Sequence, residues 1–112
     1  MNRISSAVLT LMFLAALVTG SANADGDATK GESYYALCAG CHGADGMGME
    51  ATNAPRLQGQ FDWYLIRQIN NFKTGVRGAH KDDQHGAAMR GMVATLPNEQ
   101  AVKDVVAYIN SL

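Results

Sequence analysis

The sequence predicts an all-α domain of four short helices joined by long loops. Leu65, Ile69 and Phe72, and again Val102, Val105, Val106 and Ile109, recur at helical spacing. No stretch of alternating apolar and polar residues competes with them, and clusters of Gly and Pro separate the periodic segments. With 112 residues and no internal repeat, the chain has the size of one domain.

The first 24 residues stand apart. Arg3 supplies a positive start, Ala7 to Val18 is apolar except for Thr10, and Ala22-Asn23-Ala24 offers the small residues of a cleavage site. The apolar run is shorter than the roughly 20 residues that cross a bilayer. Residues 1–24 are therefore expected to be a cleaved secretory signal, and 25–112 a domain with no stable membrane insertion. Removing Arg3 leaves eight Lys and Arg against ten Asp and Glu. These cations are scattered and form no basic stripe, which argues against a nucleic-acid partner.

Within the domain, Asp27 is placed to cap a first helix that starts near Ala28, carries Tyr34, Tyr35 and Leu37, and runs into Cys38 and Cys41. Gly40, Gly43, Gly46 and Gly48, with Pro55 beyond, predict an irregular loop that turns tightly beside a ligand. It is not a phosphate loop, because no Gly-Lys-Ser/Thr follows. Asp62 reads as the cap of a second helix, with Phe61 and Ile66 spaced as a hydrophobic staple, and Gly75 as its stop. Val76 to Gly86 is a polar loop leading to a short helical turn around Met89. After Pro97 the last helix is the clearest amphipathic segment. Loops this long are uncommon in a compact domain unless they wrap something.

Cys38-Ala39-Gly40-Cys41-His42 carries the chemistry. Both cysteines of the chain lie in this unit. A Cys-x-x-Cys pair sets two sulfurs one helical turn apart, suited to two thioether bonds, and the following His marks covalent haem attachment. Other readings of the pair are a structural disulfide or a thioredoxin-like couple, which would need flanking strands. A zinc site with His80 and His85 would need a far shorter stretch between its Cys and His pairs. For an iron held by His42, the sixth-ligand candidates are Met89, Met92, His80 and His85. Methionine suits an electron carrier, but spacing alone does not choose between Met89 and Met92.

With these residues in place, the domain resembles the small bacterial class I cytochromes c, most closely a single domain of the two-haem periplasmic members. The likeness runs from about Lys30 to Leu112. It rests on Cys38-Ala39-Gly40-Cys41-His42-Gly43, Asp45-Gly46-x-Gly48, Pro55-Arg56-Leu57-Gln58-Gly59-Gln60, Tyr64-Leu65, Phe72-Lys73-Thr74-Gly75-Val76-Arg77, Met89-x-x-Met92, Leu96 and Val106-Ala107-Tyr108-Ile109. The polar segment Gly78 to Gly86 departs from the family pattern.

The resemblance implies the class I cytochrome c fold around one haem c, bonded through Cys38 and Cys41, with His42 as proximal and Met89 as distal iron ligand. It also implies that the Pro55 carbonyl orients His42 and that Arg56 lies near a haem propionate. Gly31 and Tyr108 are expected where the first and last helices cross, Trp63 and Tyr64 beside the haem, and His80 and His85 at the surface. The implied function is a soluble, monomeric periplasmic electron carrier, not an enzyme. It would take electrons from a respiratory complex and pass them to a terminal oxidase or reductase. The alternatives are an electron-transfer subunit of a larger oxidoreductase, and a haem sensor or enzyme with a labile distal ligand.

Overall fold

A computed structural model describes residues 25–112; the expected signal segment 1–24 lies outside the described residues. Four helices follow in order: α1 Ala28–His42, α2 Asp62–Thr74, α3 Gln84–Val93 and α4 Glu99–Ser111. A single 3-10 turn, Glu50–Thr52, interrupts the loop after α1. Among the described residues there is no strand, only one isolated bridge between Met49 and Ala54.

Helix α4 is the central element. Val102, Val105, Val106 and Ile109 are all buried, and Tyr35, Leu65, Leu96 and Ala101 complete the cluster around them. Burying such a stripe is the main favourable term for a helix this short, which would be marginal alone. Asn98 starts α4 by accepting a hydrogen bond from the Ala101 N–H.

Helix α1 lies across α4 at close range, and the sequence explains why. A Cβ at Gly31 would be driven into the Asp104 carbonyl oxygen and would stand 2.9 Å from the Tyr108 Cβ. Only glycine permits this approach. One turn on, the Tyr35 and Tyr108 rings meet with centroids 5.2 Å apart. The N-terminus of α1 is fixed from the same side: buried Asp104 accepts hydrogen bonds from the Asp27 N–H at 2.8 Å and from Gln100 Nε2 at 2.9 Å. The Asp27 side chain in turn caps α1 by accepting from Thr29 and Lys30 N–H.

Helix α2 joins α4 through Asn70 Nδ2 donating to Glu99 Oε1, and joins the segment just before α4 through Lys73 Nζ donating to the Leu96 carbonyl, each at 3.0 Å. It begins one residue away from expectation. Phe61 occupies the cap position without a side-chain hydrogen bond, and Asp62 lies in the first turn. The staple is not formed as predicted, because Phe61 is 71% exposed and stacks on Trp63 at 5.9 Å. Gly75 ends α2 in the left-handed conformation, as expected. Helix α3 is longer than the predicted turn; Asp83 starts it by accepting from the Gly86 N–H at 2.8 Å.

Candidate haem-binding cleft

The last turn of α1 presents Cys38, Cys41 and His42 to one cleft of about 380 Å³, within the range of small-molecule sites. A helix leaves its last carbonyls without partners, and the glycine-rich loop supplies them here. The Gly43 N–H donates to the Ala39 carbonyl, Thr52 Oγ1 to that of Cys41, and the Gly48 N–H to that of His42 at 2.8 Å. Tyr35 reaches across to donate its hydroxyl to the Gly43 carbonyl at 2.6 Å. Gly48 has φ 82°, and a Cβ there would stand 2.7 Å from the Pro55–Arg56 backbone. That close pass brings the Pro55 carbonyl onto His42.

His42 is buried, and its Nδ1 lies 2.8 Å from the Pro55 carbonyl oxygen. A carbonyl can only accept, so Nδ1 carries a proton, and in the neutral imidazole the lone pair then lies on Nε2. Such a second partner fixes ring orientation and raises the basicity of a ligating imidazole. Burial pushes the Cys38 thiol above its ordinary pKa, whereas Cys41 is exposed. No disulfide joins the two. The zinc arrangement is not assembled either: among the described residues, no three His, Cys, Asp or Glu side chains converge on a common point.

The cleft continues over α2, α3 and α4. Leu57, Leu65, Ile69, Phe72, Leu96 and Val105 give it an apolar wall. Helix α3 contributes His85, Met89 and Met92, which share one face at helical spacing. Met89 is half-buried, Met92 is 46% exposed, and His85 is exposed. The structure therefore brings both methionines and one of the two other histidines to the cleft. His80 stays outside, exposed, with Nδ1 accepting from the Asp82 N–H.

Two further expectations separate. Tyr64 lines the cleft, but Trp63 does not; it is 51% exposed and carries Arg67 over its ring at 5.0 Å. Arg56 is absent from the cleft wall and donates from Nε to the Gln58 carbonyl at 2.9 Å. The cleft has an Arg that sequence reasoning did not assign to it, Arg77, beside Gln68. Arg77 closes the motif Phe72-Lys73-Thr74-Gly75-Val76-Arg77, but periodicity assigns it no place, since it follows a helix stop in an irregular segment.

These residues suit a large, flat, mostly apolar group that bonds two thiols and carries a metal accepting a neutral imidazole and a thioether. The thiols lie at one end of α1, the imidazole has an unshared nitrogen, and the remaining wall is hydrocarbon.

Comparison with known proteins agrees. The family model described as cytochrome c matches residues 28–112. Cytochrome c4 of Stutzerimonas stutzeri is 38% identical over 106 residues, covering 93% of this chain and 50% of that protein. Cytochrome c-554(548) of Halomonas halodenitrificans is 36% identical over 86 residues, covering 77% of this chain and 96% of its own length. In the crystal structure of reduced recombinant cytochrome c4 from Pseudomonas stutzeri, 47% of that chain matches 76% of this one, with a TM-score of 0.64 and 28% identity. The chain spans about half the length of the cytochrome c4 relatives it matches. Family model, relatives and helical architecture coincide on the segment that builds the cleft, and the chain belongs to the cytochrome c family.

Proposed function

We propose that this protein is a soluble single-haem electron carrier of the periplasm, with haem c bonded to Cys38 and Cys41 and its iron held by His42 Nε2 and Met89 Sδ. The observation that carries the reading is the buried His42, locked by the Pro55 carbonyl in the tautomer that leaves Nε2 available, in the same cleft as half-buried Met89. When bound, the haem supplies reversible storage of one electron. The chain does the rest. Two neutral donors, imidazole and thioether, need neither gain nor lose a proton when the charge between them changes. The apolar wall excludes water, which limits reorganisation around that charge. Met89 is favoured over Met92 because it is the more covered of the two.

Leu37 is 58% exposed and, like Met92, belongs to the cleft lining. Apolar groups at such a rim suit a small, transient docking surface. The partners inferred are a respiratory complex as donor and a terminal oxidase or reductase as acceptor, met by a monomer. Residues 1–24 would direct export, and no helix among the described residues is long and apolar enough to cross a membrane.

Optical spectra of the exported protein in both redox states, with a denaturing gel stained for covalent haem, test this reading. The expected result is haem-stained protein with a thioether-to-iron charge-transfer absorption that disappears in Met89→Ala and persists in Met92→Ala. Ready binding of carbon monoxide by the unaltered ferrous protein would instead point to a sensor or enzyme with a labile distal position. Colourless protein with a Cys38–Cys41 disulfide would overturn the proposal.

A further inference from the structure

We infer that the aromatic face of Phe61, Trp63 and Tyr64, flanked by Arg56 and Arg67, is a docking surface for an acidic redox protein, additional to the apolar rim at Leu37 and Met92. The inference rests on the electron-carrier reading above only for the partner's redox character; the surface itself follows from the fold.

Phe61 and Trp63 do nothing for the core. Both are exposed, and neither belongs to the buried cluster or to the cleft wall. Exposed apolar groups are ordinary when they are scattered singly, whereas a contiguous set marks an interaction site. Here they are contiguous. Phe61 stacks on Trp63, and Tyr64 meets Trp63 edge-on with ring centroids 6.0 Å apart. With Gly59 and Gln60 these three line an open hollow at the start of α2. The hollow shares Gln60 and Tyr64 with the haem cleft, so a protein seated on the aromatic face lies against a residue of the cleft wall.

The face is also held in place. The Arg67 guanidinium lies over the Trp63 ring, the Trp63 N–H donates to Asp62 Oδ1 at 2.6 Å, and Gln60 Nε2 donates to the Arg56 carbonyl. Side chains fixed before binding lose less freedom on association. Tyr, Trp, Phe and Arg are the types enriched at protein interfaces, and Trp, Tyr and Arg carry most of their binding energy.

Charge selects the partner. Residues 25–112 carry eight Lys and Arg against ten Asp and Glu, so the molecule as a whole repels an acidic protein. Between residues 56 and 67 the balance reverses. Arg56 and Arg67 are exposed and, among the described residues, have no carboxylate partner, while the one acid there, Asp62, is half-buried against the Trp63 N–H. An acidic surface finds two guanidinium groups at this face, and repulsion elsewhere orients it. An anionic membrane would press the acidic remainder of the chain against its own charge, which a protein of limited footprint does not.

The probe is plant-type ferredoxin, an acidic protein whose reduced [2Fe–2S] cluster is a strong one-electron donor. Trp63 is the only tryptophan of the chain, so a single indole N–H resonance reports on the face. Titrating the labelled holoprotein with oxidised ferredoxin at low ionic strength should shift or broaden that resonance, and added salt should reverse the change. By titration calorimetry, Trp63→Ala and Arg67→Glu should each weaken binding by about fivefold or more, and Arg56→Gln by less. Lys81→Glu makes the same change in net charge as Arg67→Glu but lies outside the hollow, and should weaken binding by less than about twofold. In stopped flow, one electron passes from the reduced cluster to the ferric iron with no bond made or broken. Its second-order rate constant should fall in the same order, while reduction by a neutral hydroquinone stays unchanged. If Trp63→Ala does not accumulate, Phe61→Ala and Arg67→Glu decide by the same criteria. An undisturbed indole resonance, or equal weakening by Lys81→Glu and Arg67→Glu, would overturn the inference. So would a resonance that moves with protein concentration in the absence of ferredoxin, which assigns the face to a second copy, or one that responds to phosphatidylglycerol vesicles and not to ferredoxin, which assigns it to a membrane. Absence of covalent haem is a different failure, that of the proposed function, and leaves the resonance and calorimetry to decide docking.

Discussion

His42 and Pro55 show how little is needed to prepare a ligand: one backbone carbonyl, 2.8 Å from a ring nitrogen, selects the tautomer. Tyr35 supports the same turn from behind. Its hydroxyl bonds the Gly43 carbonyl, and burial, first among the causes, raises its pKa above the usual phenol value. Tyr35→Phe keeps the ring against Tyr108 and removes only that hydrogen bond. The expected cost is about 1–2 kcal/mol, read as a lower denaturation midpoint, with the haem spectrum of the folded protein unchanged; a spectral change would mean that Tyr35 acts on the iron site itself. At this scale the sequence was legible where a residue's neighbours are close along the chain. Cys38, Cys41 and His42 lie within about one helical turn, so their spacing predicts the shared cleft on which the structure places them. Arg56 and Arg77 do not. Which guanidinium reaches the cleft depends on where each irregular segment leads its side chain, and Gln58 captures one while Phe72 and Gln68 hold the other. Met89 and Met92 share a helix face, so periodicity brings both to the cleft and only burial separates them.

Helices whose apolar stripe and caps agree were legible as elements. α1 begins at Asp27, whose side chain makes the expected capping bonds, and α4 begins at Asn98, a cap that the structure adds. α2 begins one residue before its predicted start because Asp62, a good capping type, sits inside the first turn, where its carboxylate suits the positive end of the helix. α3 runs longer than the sequence predicts because Gly86 and Gly91 weaken its local signal. The junction of α1 with α4 involves a charge as well as packing. Asp104 is buried, and the Asp27 N–H, ahead of Gln100, holds its carboxyl below the usual range. A carboxylate whose pKa is depressed by folding stabilises the fold above its unfolded value, near 3.9, and loses that contribution as pH falls through the lower folded value. Asp104→Asn should therefore cost about 1–3 kcal/mol at pH 6, with the gap to the unaltered protein closing below about pH 4. Unfolding midpoints of both proteins across that range check it, and a gap independent of pH would show that Asp104 acts through packing alone.

On the scale of the molecule, the cleft takes residues from all four helices and from the loop between α1 and α2. The contacts among helices are uneven: α4 packs most extensively on α1, whereas α3 packs mainly on α2, with the bond from Arg90 Nε to the Phe72 carbonyl and few buried groups of its own. A domain of this size buries too little surface to be robust without help. The long loops that looked unsuitable for a helical bundle fit the same account, since their side chains complete the cleft wall. Replacing both Cys38 and Cys41 with Ser should prevent covalent attachment. The resulting chain should lose most of its helical circular dichroism at 37 °C and become protease-sensitive, with cleavage concentrated in residues 75–95, before α1 and α4 separate. A cooperative native-like melt of the double variant in the absence of haem would show that the α1–α4 core folds the domain alone, and that the group in the cleft contributes function without contributing the fold.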